Sequence, residues 1–205
     1  QSINQGSQTM SLFIPMFIYA FSMGITPGPN NMIALSTGVN YGFLRTIPFT
    51  LGVMVGFNAL LATIGFGVGG IIARNPDVML VLSYVGTAFI IYMGYKIIMA
   101  PTELNTDADK TPGFVHGALL QLVNPKAWTA CLGGIAAFNI AGNTFGILMY
   151  IGISIFVVLF CVGIWGYAGS KITHFLENQR NHKIFNVVMG GSLIVLAIYL
   201  LIMDQ

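Results

Sequence analysis

The chain has 205 residues, of which 56% are hydrophobic and 7% charged, and its mean hydropathy is +0.81. A soluble domain usually carries roughly 25% charged residues, so this composition is that of an integral membrane protein. A net charge of +2 from eight basic and six acidic residues leaves no basic stripe and no acidic tail, which sets nucleic-acid binding aside.

Residues 1–9, QSINQGSQT, are polar and precede Met10. They are read as a non-native remnant or at most a disordered lead, with a single domain expected over 10–205. Since roughly 20 apolar residues cross a bilayer, six spans are expected: 12–36, 46–72, 78–99, 113–139, 144–170 and 183–203. The first is too long for a signal peptide and lacks a basic n-region, so it is expected to persist. The polar stretches at 100–112 and 171–183 are too short for a soluble domain. Arg45, Lys96, Lys110, Lys171, Arg180 and Lys183 fall on one side of this topology and Arg74 on the other. The positive-inside rule then makes the six-residue side cytoplasmic and puts both termini outside.

Two spans contain helix breakers at their centres. The first carries GITPGPNN at 24–31 and the fourth carries QLVNPKAW at 121–128. A proline inside a soluble helix costs about 3 kcal/mol or more, because a backbone hydrogen bond is lost and the ring clashes with an earlier carbonyl. Pro29 and Pro125 lie 96 residues apart, and that offset lays the second span on the fifth and the third on the sixth. The expected fold class is therefore all-α, six transmembrane helices in a 3+3 inverted repeat (12–99 and 113–203), with helices 1 and 4 broken at TPGPN and NPK. Transporter folds place discontinuous helices of this kind at the midplane, where irregular backbone lines a cavity. A lone proline would more often be a kink that adjusts packing; two breaks at matching positions favour a substrate site.

ITPGPNN, the downstream GVNYGF and GVMVGF, and LLQLVNPKAW together resemble the LysE/RhtB family of bacterial amino acid exporters. TPGPNN is most similar to the branch that includes the cysteine and O-acetylserine exporters. The resemblance implies efflux of amino acids or close derivatives across the bacterial inner membrane, often assigned to proton antiport. It maps one motif onto Thr26, Pro27, Gly28, Pro29 and Asn30, and a second onto Asn124, Pro125 and Lys126. Many relatives carry Asp where this chain has Asn30, which weakens a proton-carrier role at that position. Asn30 would then meet a substrate ammonium through its side-chain oxygen.

The offset sets Asn30 opposite Lys126. Lys126 is about 20 Å into its span at 1.5 Å per residue, too deep to snorkel easily, and such residues usually face a bundle interior or cavity. It is expected to bind the substrate carboxylate; the structural alternative is a cap on carbonyls freed by Pro125. Asn31, Asn58 and Gln121 also fall near mid-span, where they either line a pathway or bond across helices. Tyr92 reads as a packed or interfacial ring, and Lys96 and Arg45 as residues of the cytoplasmic boundary.

No cofactor and no metal are expected, with a proton as the candidate coupling ion. The six acids, Asp77, Glu103, Asp107, Asp109, Glu177 and Asp204, lie at span ends or in loops, which leaves a desolvated Lys126 or His116 as carriers. A thiol-disulfide enzyme would need Cys131 and Cys161 at related positions, and the offset does not relate them. A passive channel or metal-ion exporter would need intramembrane carboxylates or thiolate clusters. The chain is read as a transporter and not an enzyme, with an amino acid substrate and the lipid bilayer as partners. Glycine pairs such as Gly38/Gly42, Gly52/Gly56 and Gly65/Gly69 serve helix packing and offer faces for a possible homodimer. The uncharged pocket around Asn30, Asn31 and Asn58 favours small neutral or cysteine-like amino acids over basic ones.

Overall fold

The computed structural model describes residues 12–67, 75–100, 111–173 and 178–203. Among them are eight α-helices and one short 3-10 helix, with no strand. They are α1 (Phe13–Ile25), α2 (Pro29–Tyr41), the 3-10 helix (Phe43–Thr46), α3 (Ile47–Gly65), α4 (Pro76–Ile98), α5 (Phe114–Val123), α6 (Pro125–Ala137), α7 (Thr144–Ile172) and α8 (Gln179–Met203). Three stretches are long and apolar enough to cross a membrane: Phe43–Gly65, Thr144–Ile172 and Gln179–Tyr199. Phe13–Ile25, Tyr84–Ile98 and Phe114–Val123 are shorter apolar helical stretches.

Proline dictates where the first and fourth expected spans divide. A residue before proline is pushed out of the helical region, and Thr26 (φ −60°, ψ 136°), Gly28 (φ −174°, ψ 178°) and Asn124 (φ −90°, ψ 109°) are all extended. Pro29 and Pro125 then open α2 and α6, where a missing N–H has no intrahelical partner to lose. Helices α4 and α7 start on side-chain caps: Asn75 accepts from the N–H groups of Asp77 and Val78, and Asn143 from that of Gly146. Several boundaries differ from expectation, and α3 ends at Gly65, short of the expected 72. Helix α2 runs on to Tyr41 because Gly42, at φ +82°, is the first residue able to turn the chain. Helix α8 starts at Gln179, with Asn178 Oδ1 accepting from Arg180 N at 2.9 Å.

Large apolar side chains cover the outside, among them Ile14, Phe156 and Val195, each at least two-thirds exposed. That surface suits acyl chains. Between helices, glycine permits backbone contact. Helix α2 lies on α7, where a Cβ on Gly38 would come within 2.1 Å of Gly166 O and one on Gly169 within 2.1 Å of Leu35 O. On α3 and α5, a Cβ on Gly52 would meet Phe114 O at 1.9 Å and one on Gly56 would meet Ala118 O at 2.5 Å. Gly94 of α4 and Gly190 of α8 face each other's carbonyl oxygens at 2.7 and 2.3 Å. These glycines, expected to serve packing or a homodimer face, are used inside the chain.

Polar contacts tie several helix ends together at one end of the bundle. Lys183 Nζ donates to Ile98 O at 2.8 Å, and Thr173 Oγ1 to Val39 O at 3.1 Å. The buried amides of Asn40 and Asn186 exchange two hydrogen bonds of 2.9 Å. Arg45, Lys96, Lys171, Arg180 and Lys183 stand at the helix ends gathered there. Arg74 and Lys110, both counted in the charge asymmetry, lie outside the described residues.

Candidate functional site

Breaking a helix inside a membrane releases carbonyl oxygens that must find donors. At the first break, Asn31 Nδ2 donates to Gly24 O at 2.8 Å and Thr26 O at 2.9 Å, and the Thr26 hydroxyl donates to Ser22 O. Trp165 of α7 donates its indole N–H to Ile25 O at 3.1 Å. At the second break, Trp128 donates to Leu122 O at 2.8 Å, while Asn124 Oδ1 accepts from Lys126 N at 3.1 Å. The chain has two tryptophans, and each satisfies a carbonyl at a helix end beside a break.

Lys126 connects the two breaks. Its Nζ donates to Thr26 O and lies 3.5 Å from Pro27 O. The ammonium therefore caps carbonyls of the first break, not those freed by Pro125. Gly28 leaves room for it, since a Cβ there would approach Lys126 Cδ at 2.9 Å. Asn30 and Gln121 form a reciprocal amide pair at 3.1 and 2.9 Å, and Gln121 also donates to Gly117 O at 3.0 Å. The Asn30 oxygen expected to serve an ammonium is thus engaged by Gln121.

Around these groups is an open cavity of about 600 Å³. Of the predicted site residues, Gly28, Asn30, Asn31, Gln121, Asn124 and Lys126 line it. Pro29 and Pro125 form the adjoining helix starts, and Thr26 and Pro27 supply carbonyls. Asn58 sits one layer behind, where its Oδ1 accepts from the hydroxyl of the cavity-lining Ser154. The lining also includes the apolar side chains of Phe57, Val157, Val158 and Cys161. Among the described residues, no Asp or Glu lines the cavity. Of the six acids, Asp77 in the first turn of α4 is described, and the other five lie outside the described residues.

Ser154, Trp128, Trp165 and Cys161 were not singled out as site residues by the sequence reading. One signal pointed to Ser154: the 96-residue offset relates it to Asn58. His116 accepts from the Gly113 N–H at 3.3 Å at the start of α5. Cys131 and Cys161 are both free and buried. Tyr92, at 45% exposure, belongs to the apolar outer surface.

No solved structure matches the chain. It is 30% identical to a cysteine/O-acetylserine efflux protein of Salmonella choleraesuis (strain SC-B67) over 200 residues, which cover 93% of this chain and 97% of the relative. The protein of the same name from Salmonella typhi matches to the same extent. That of Escherichia coli O139:H28 is 28% identical over 198 residues, again covering 93% and 97% of the two chains. The family model of the LysE type translocator matches residues 21–204. Proteins of this kind move solutes rather than catalyse reactions on them, and by near-complete coverage the chain belongs to the LysE type translocator family.

Proposed function

We propose that the protein exports small neutral amino acids, cysteine-like ones included, across the bacterial inner membrane by alternating access, with a proton as the counter-transported ion. The observation that carries this reading is the meeting of the two helix breaks at one cavity, bridged by Lys126. An ammonium has three N–H donors. Two are directed to Thr26 and Pro27; the third serves the substrate carboxylate. The names of the relatives support the substrate class, and a lining without carboxylates suits an uncharged side chain better than a basic one.

A 3+3 inverted repeat is supported by contacts between residues that the offset relates. Asn58 meets Ser154, and Gly94 meets Gly190. Residues related by a twofold axis can touch only where they lie on it. The basic helix ends gathered at one end of the bundle support a cytoplasmic face there, with both termini outside. A reporter fused after Gln205 is expected to be periplasmic; a cytoplasmic signal would reverse the topology.

Counterflow into proteoliposomes, run with a panel of amino acids with and without an imposed pH gradient, tests the function. Saturable exchange of neutral amino acids, accelerated by the gradient, is the expected outcome. Stimulation by lysine and arginine alone would overturn the substrate class, and ion conductance without exchange would indicate a channel.

A further inference from the structure

Many of the acceptors around the cavity are already engaged. At the first break, the carbonyls of Gly24, Ile25 and Thr26 are already met by Asn31, Trp165 and Lys126. Leu122 O is met by Trp128, and the Asn30 oxygen by Gln121. Among the described residues, no carboxylate lines the wall. A zwitterionic amino acid nonetheless brings an ammonium, and a buried charge must be paired.

Asn58 and Ser154 can provide the partner. The Asn58 amide nitrogen donates to Met54 O at 2.8 Å, which turns its Oδ1 toward Ser154. Ser154 lines the cavity at 1% exposure, and its hydroxyl donates to that Oδ1. A hydroxyl has one proton, and Ser154 Oγ has a second acceptor, Ile151 O, at 2.9 Å. We propose that Asn58 Oδ1 receives the substrate ammonium and that Ser154 is a displaceable donor. When the ammonium arrives, the hydroxyl rotates onto Ile151 O. The amide oxygen exchanges a neutral donor for a charged one, and no polar group is left unpaired. The two residues are 96 apart and so lie on the twofold axis of the proposed repeat. A pair on that axis keeps its relation while the flanking helices exchange positions, which lets the substrate stay held through the cycle.

This inference rests on the exporter reading, and the two can fail separately. The test measures binding of L-cysteine, and of 3-mercaptopropionate, which lacks the ammonium, to the full chain in proteoliposomes under reducing conditions. Asn58→Ala is expected to weaken L-cysteine binding about ten-fold or more and to leave 3-mercaptopropionate unaffected. Ser154→Ala, which removes the competing donor, is expected to tighten L-cysteine binding, and an unchanged affinity would deny Ser154 that role. Equal losses in the two variants, or an equal loss for both ligands in Asn58→Ala, would reduce the pair to a structural tie between α3 and α7. If Asn58→Ala does not insert, Asn58→Asp replaces it, with tighter L-cysteine and weaker 3-mercaptopropionate binding expected; the opposite order would overturn the proposal. A wild-type protein that binds no L-cysteine and exchanges no neutral amino acid would instead remove the exporter reading.

Discussion

A lysine at the centre of a membrane helix costs roughly 2.5 to 3.5 kcal/mol on insertion scales, and Lys126 offsets part of that through the carbonyls of Thr26 and Pro27. Gly28 sets how closely it can approach. A Cβ at Gly28 would press on Lys126 Cδ at 2.9 Å and lie 3.1 Å from Nζ, both on a flexible stem. Gly28→Ala is therefore expected to fold, losing about 1 kcal/mol or less of stability, while displacing the ammonium and raising the counterflow KM several-fold. Thermal melts in detergent alongside transport kinetics would check this, and an unchanged KM would detach Gly28 from the site. Lys126 stood out in the sequence because a charge that deep in an apolar run must face a cavity or a polar partner. Trp165 did not, because an indole in a helix of the composition of α7 looks like ordinary packing, and Ser154 was marked only by its 96-residue distance from Asn58. Their roles depend on α7 passing beside the first break, which no local pattern encodes.

The interrupted helices were legible for a local reason: proline constrains the residue before it wherever it occurs, and Thr26, Gly28 and Asn124 obey. The glycine spacing was equally visible, but its partners were not. Gly38 is packed on α7 and Gly52 on α5, pairings that the four-residue spacing does not specify. Because the facing atoms are backbone oxygens, they cannot swing aside as a side chain does. Gly56→Ala, whose Cβ would meet Ala118 O at 2.5 Å, is expected to force α3 from α5 at a cost of about 1 to 3 kcal/mol. A lowered melting temperature in detergent is the readout. An unchanged melt would mean that this interface is looser than its geometry implies.

At the scale of the molecule, composition alone indicated membrane residence, while the 96-residue offset met mixed fortune: Asn58 and Ser154, which it relates, do touch, whereas Lys126 bonds to Thr26 and Pro27 and Asn30 to Gln121. What the offset did not carry is how unequally related positions are packed. Gly56 is wedged against α5, whereas Gly152, 96 residues further on, has nothing within 4 Å of where a Cβ would stand. If the halves trade shapes once per cycle, the crowding seen by Gly56 is passed to Gly152, and Ser22 becomes the neighbour that Ala118 is now. A valine at Gly152 would then be harmless at rest and obstructive in motion. Yield, melting point and binding would look normal, while counterflow would stall with the solute trapped on one side, a defect invisible to any assay of the static molecule.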